Sequence, residues 1–171
     1  MLTPSMQNAL NSQLNAEYYS SYLYLSMAAY CEEISLKGFA NWFRVQVQEE
    51  MVHAMKFFNF ILDRRGKVEL KAIEGPPVKW DSSQAIFEAS LEHEKSVSQR
   101  LNKLADLAVK ESDHATHAFL EWFVTEQVEE EATVDQVLQE LRLVNNNPTG
   151  LYMLDRELAQ RTFTPAPAAA T

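Results

Sequence analysis

The chain has 171 residues, enough for one domain with a substantial core, and its six prolines and four glycines leave long runs rich in Ala, Leu, Glu, Gln and Lys. Its 24 acidic and 15 basic side chains give a formal charge of -9, which excludes a general attraction to nucleic acid or to an anionic membrane surface and makes cations the natural partners. No apolar run approaches a membrane span, and the N-terminal MLTPSMQNALNSQLNAEYY lacks the apolar segment of an export signal, so a cytoplasmic protein is expected.

Apolar positions recurring at three and four residues predict a nearly all-helical chain. A first helix is expected from Ser5 to Ile34, with Thr3-Pro4-Ser5 as its start and ISLKG as its break. The lone cysteine, Cys31, makes no internal disulfide and is expected as a small buried side chain on this helix. A second helix runs from Gly38 to Arg65, and RRG closes it. A polar segment from Gly66 to Trp80, containing EGPPVKW, leads to Asp81 or Ser82 as the cap of a third helix ending at Lys110. Ser112 or Asp113 starts a fourth, which reaches Leu143 or Val144. NNNPTG is a turn before a shorter fifth helix, Pro148 to Arg161, and FTPAPAAAT reads as a flexible tail. The domain is therefore residues 1–164 and the tail 165–171.

Short links make helices one and two, and helices three and four, antiparallel hairpins. The second helix spans about 42 Å at about 1.5 Å per residue, while the link from Gly66 to Trp80 reaches roughly 50 Å when extended. That link can travel the whole bundle and leave helices two and three parallel. A single long crossover is the arrangement of ferritin-like four-helix bundles.

The inward stripes follow the i, i+3, i+7 rhythm. They read Leu10, Leu14, Glu17, Ser21, Tyr24, Ala28, Cys31 in helix one and Phe39, Phe43, Gln46, Glu50, His53, Phe57, Phe60 in helix two. Helix three gives Phe87, Leu91, Glu94, Ser98, Leu101, Ala105, Ala108, and helix four gives Leu120, Phe123, Gln127, Glu130, Val134, Val137, Leu141. Each stripe is interrupted near mid-length by one acid, which puts Glu17, Glu50, Glu94 and Glu130 in one layer. Four ionised carboxylates in a dry interior need a positive centre, and no basic residue shares those faces. A pair of metal ions supplies it, with His53 as a nitrogen ligand and a shared carboxylate as bridge. Oxygen-rich ligands with one imidazole suit iron or manganese, tolerate zinc and do not suit Cu(I).

Around this layer, Tyr24 lies two turns beyond Glu17, as a core tyrosine bonded to a carboxylate or with an added redox role. Gln127 can bond to a ligand or to bound oxygen without adding charge. Trp122 lies beside the helix-four stripe, where packing is preferred over electron supply. Glu49, Glu126 and Glu129 flank the stripes, and both a solvated surface and a neighbouring third metal site remain open for them. His93, His114 and His117 have no comparable partners and are read as ordinary side chains.

NAEYYSSYLYLSMA, KGFANWFRVQVQEEMVHAMKFF, WDSS, LEHE and FVTEQVEEEA together resemble the prokaryotic non-haem ferritins, over Leu10 to Thr164. The resemblance implies Glu17, Glu50 and His53 as ligands of one iron, and Glu50, Glu94 and Glu130 as ligands of the other, with Gln127 nearby. It matches Glu49, Glu126 and Glu129 to a third site, Tyr24 to the tyrosine beside the centre and Trp122 to its aromatic neighbour. It further implies Fe(II) oxidation by oxygen or peroxide, a ferric mineral, and a hollow homo-oligomer of 24 subunits in which the fifth helix forms fourfold contacts. Met51 stands where the haem-ligating methionine of bacterioferritins sits, but QVEE, Gln127 to Glu130, replaces their second ExxH. No haem is expected, and Met51 is read as packing. The miniature DNA-protecting ferritins lack a fifth helix and place iron between subunits. Two other readings are a di-metal oxidoreductase without mineral storage and an interaction bundle with incidentally buried carboxylates.

Overall fold

The computed structural model describes residues 1–164; the expected tail, 165–171, lies outside them. Five helices follow in order: α1 Pro4–Glu33, α2 Lys37–Asp63, α3 Ser83–Lys110, α4 His114–Val144 and α5 Pro148–Leu158. There is no strand among the described residues. α1 packs along α2 and α3 along α4, α1 also meets α3, and α5 lies against α2 and α4.

Local chemistry explains most of the boundaries. Thr3, Ser82, Asp113 and Asn147 each accept backbone N–H groups at a helix start, and Pro4 and Pro148 occupy first turns where no donor is needed. α1, α2 and α3 end alike. Leu36 N–H donates to Cys31 O, Gly66 N–H to Ile61 O and Asp113 N–H to Ala108 O, around Ser35, Arg65 and Ser112 at φ 64°, 58° and 55°. RRG does close α2, but the left-handed residue is Arg65 and not the glycine beside it.

α2 starts differently, because its N-cap residue, Leu36, has no side chain to offer. Asp155 of α5 fills that role: its Oδ1 accepts from Gly38 N–H at 2.7 Å and from Phe39 N–H at 3.1 Å. Gly38 permits the approach, since a Cβ there would lie 1.6 Å from the Asp155 carbonyl oxygen. α5 itself stops at Leu158, short of the expected Arg161. Asn41 Nδ2 reaches Leu158 O, Ala159 O and Arg161 O, drawing the following segment back along α2.

The expected stripes of α1 and α4 are fully buried. In α2 only Phe60 lies partly exposed. In α3 the face is turned, so that Ser90, Val97 and Leu104 are buried while Leu91, Ser98 and Ala105 stand at its edge. The two alternations share a mean period of 3.5, and the partner helices decide which side faces inward. The core is divided in two. Tyr24, Met27, Phe39, Phe43 and Phe87 belong to one apolar cluster beside α5, and Met6, Leu10, Phe57, Leu101 and Phe123 to the other. Cys31 is buried in the first cluster, where burial pushes its thiol up to about 12.

Candidate metal centre

Polar side chains from all four long helices fill the level between the clusters. α1 brings Gln13, Glu17 and Ser20, α2 brings Gln46, Glu50 and His53, α3 brings Glu94, and α4 brings Gln127 and Glu130; all are buried. One helical turn places Glu50 Oε2 3.4 Å from His53 Nδ1. Glu17 joins them, and each of the three offers a ligand atom within 4.8 Å of the others. His53, Glu126 and Glu130 form a second group within the same distance, so His53 is common to both.

Hydrogen bonds orient the carboxylates. Gln13 Nε2 donates to Glu17 Oε1 at 2.7 Å, while Gln13 Oε1 accepts from Arg100 Nε at 3.2 Å. Gln46 Nε2 donates to Glu130 Oε2 at 2.9 Å. The Tyr24 hydroxyl and Gln127 Nε2 both donate to the Glu94 carboxylate, and Gln127 also reaches the Glu94 carbonyl oxygen at 3.1 Å. Glu94 joins neither ligand group, although these bonds hold it in the same layer. The buried Gln46 Oε1 finds no hydrogen-bond partner among the described residues.

The layer is electrostatically unbalanced. Burial, then the charges of Glu94, Glu17 and Glu130, raise the Glu50 carboxyl well above the ordinary range. Burial and Glu130 push Glu94 up to about 7 against the bonds from Tyr24 and Gln127. Burial also raises the Tyr24 phenol, helped by Glu94 and Glu50. Among the described residues no Lys or Arg pairs with Glu17, Glu50, Glu94 or Glu130. A pair of bound cations would offset this charge, and the donor set of carboxylates with one imidazole fits iron, manganese or zinc.

A family model described as the ferritin-like domain matches residues 7–144. The bacterial non-haem ferritin of Staphylococcus aureus is 39% identical over 163 residues, covering 95% of this chain and 98% of its own. The chain belongs to the ferritin family, among the prokaryotic non-haem ferritins. An engineered closed form of the Archaeoglobus fulgidus ferritin superposes with a TM-score of 0.95 at 51% identity, covering 96% of this chain and 100% of that one. The open-pore ferritin of the same archaeon gives 0.94 at 51% identity, covering 95% and 100%. The all-α ferritin bundle with its long crossover and short fifth helix is thereby shown.

In this ferritin the flanking residues separate. Glu49 is half-buried and pairs with Arg161, its Oε2 2.7 Å from Nη2. Burial pushes the Glu49 carboxyl up to about 7, opposed by Arg161 and reinforced by Glu130. Burial raises Glu126 as well, with His53 opposing. Glu129 is exposed and enters neither ligand group. Trp122 meets His53 edge-on with centroids 5.5 Å apart, and Lys56 Nζ lies 4.1 Å from the Trp122 ring centre. Met51 is 39% exposed. His114 and His117 remain peripheral, but His93 does not. Its Nε2 lies 2.8 Å from Ser20 Oγ and its ring stands edge-on to Tyr24, so reading it as an ordinary side chain missed these partners, for which its place beside Glu94 in LEHE was the only signal. Gln13, which bonds to Glu17, was also missed, and its position one turn before Glu17 was the available signal.

Proposed function

We propose that this protein oxidises Fe(II) at the carboxylate layer and stores the product as ferric mineral inside a shell of 24 copies. The observation that carries this reading is the convergence of Glu17, Glu50 and His53 on one position, in a buried layer shared with Glu94 and Glu130 where no Lys or Arg pairs with the acids among the described residues. Membership of the ferritins supports iron as the substrate. Glu17, Glu50 and His53 hold one Fe(II), Glu50, Glu94 and Glu130 the other, and Glu50 is shared. Two Fe(II) ions give one electron each to oxygen, so that with two protons the products are two Fe(III) and one hydrogen peroxide; with peroxide as oxidant the product is water.

This chain's residues contribute spacing and charge. The carboxylates favour the ferric state, and Gln127 and Tyr24 fix Glu94 without adding charge. Glu49 and Glu126, with Glu129 at the rim, form a third position that receives iron beyond the paired one. Haem has no part in this reading, and the setting is the cytoplasm.

Anaerobic Fe(II) titration, rapid mixing with oxygen and particle mass on one sample test the proposal. Two tight irons per chain, fast oxidation and a large mineral-filled particle are expected. Two irons on a small oligomer without a core would replace this reading by a di-metal oxidoreductase.

A further inference from the structure

The segment after α5 turns back along α2 and ends on a candidate ligand. Asp155 holds the Gly38 and Phe39 N–H groups, Asn41 Nδ2 holds the Arg161 carbonyl oxygen at 2.9 Å, and Arg161 Nη1 donates to Trp42 O at 3.4 Å. The guanidinium carbon lies 4.4 Å from the centre of the Trp42 ring, and Nη2 completes the line at Glu49 Oε2. Backbone, aromatic face and carboxylate thus fix one cation from three directions, and this cation is held by the fold rather than drawn from solution.

We infer that Arg161 is a tethered counter-cation for Glu49, whose guanidinium competes with a divalent ion for the position between Glu49 and Glu126. The inference rests on the proposed third metal position. A carboxylate oxygen committed to a guanidinium has less electron density to give a metal, and the fixed positive charge repels an incoming ion. The third position is then weak by construction and fills only when the C-terminal segment releases Glu49. That keeps the paired ions, whose carboxylates meet no such cation among the described residues, as the tight sites. Arg161 acts through Glu49 and is a positioning residue.

Calorimetric titration with Zn(II) alone, on the assembled protein, separates these sites. In the Arg161→Ala variant the third ion is expected to bind roughly two- to fivefold more tightly, the scale of one partly exposed ion pair, with the two tight ions unchanged. Arg161→Lys restores the weak value, which a merely structural defect would not do. Asn41→Ala cuts the hold on the segment while keeping its charge, and is expected to shift the third ion in the same direction by less. Third-ion affinity that stays unchanged or falls in both Arg161→Ala and Asn41→Ala, while Glu49→Gln abolishes that ion, overturns the counter-cation role alone. A third ion that survives Glu49→Gln removes the metal position itself, and the competition with it; absence of the two tight ions in the unmodified protein overturns the paired centre instead.

Discussion

Asp155 Oδ1 accepts the Gly38 N–H at 2.7 Å, so the fifth helix completes the first turn of the second. A cap supplied from so far along the chain makes α5 part of the bundle's own stability. Asp155→Ala is expected to cost about 1 kcal/mol, as loss of an N-cap does. Gly38→Ala should cost about 3 kcal/mol, because its Cβ would meet the Asp155 carbonyl oxygen at 1.6 Å and force α5 away. Denaturant unfolding checks both values, and equal small effects would mean that α5 does not bear on α2.

This cap also marks where sequence reasoning stops. Thr3, Ser82 and Asp113 announced their helices because each bonds to backbone three residues away. Leu36 announced nothing, since its helix is capped from α5. The carboxylate layer was legible because Glu17, Glu50, Glu94 and Glu130 break apolar stripes at matching depth. The turn of α3 onto Ser90, Val97 and Leu104 was not, because 3.5-residue repeats of either phase fit its sequence and only the packing against α1 and α4 chooses. Arg161 escaped for the same reason as Asp155: a residue expected inside α5 leaves the helix and meets Glu49, an encounter with no local signature.

Glu50 weighs against the stability of the metal-free protein. It is buried with its carboxyl raised by burial and by three neighbouring acids. Glu50→Gln keeps the shape and removes the charge, so the metal-free variant is expected to gain about 1–2 kcal/mol in unfolding free energy. Rapid Fe(II) oxidation should fall to background in the same protein. Stopped-flow oxidation beside denaturant unfolding reads both; a variant that still oxidises two irons per chain rapidly would remove Glu50 from the centre.

The metal-free protein should lose stability as pH rises from about 6.5 to 8. Glu49 and Glu94 are pushed up to about 7 and Glu50 is also raised, so in this range the folded chain holds protons that unfolded carboxylates, near 4.3 on average, have released. Stability contributed by a raised carboxyl is present below its folded value and declines above the unfolded one. His93, lowered to about 4 by burial and Arg100, opposes this trend only below its ordinary 6.5. Thermal midpoints of the stripped protein across this range test the sign. Zn(II) should raise the midpoint more at pH 8 than at pH 6.5, because fewer protons must leave.

Arg65 adopts φ 58° at the end of α2, a left-handed conformation that glycine takes without a Cβ clash. Arg65→Gly is therefore expected to stabilise by about 0.5–1 kcal/mol, the relief of the clash being partly offset by the greater freedom of the unfolded chain. An unfolding midpoint that does not move would show Arg65 contacts to be worth as much as the backbone relief.

Tyr24 joins the layer through its hydroxyl alone, the ring lying against Phe43 with centroids 6.0 Å apart in the apolar cluster. Tyr24→Phe keeps that packing and removes the donor to Glu94. With one donor left, Gln127, the Glu94 carboxyl rises further above about 7 and its negative form becomes scarcer at neutral pH. Metal binding at the Glu94 side should weaken by about tenfold at pH 6.5, which corresponds to a loss of about 1.4 kcal/mol, and recover toward the unmodified value at pH 8 as the carboxylate ionises regardless. Zn(II) titrations at the two pH values separate this from a redox role. If binding is unaltered at both and only the oxidation of Fe(II) by oxygen slows, Tyr24 acts on electrons rather than on the protonation of Glu94.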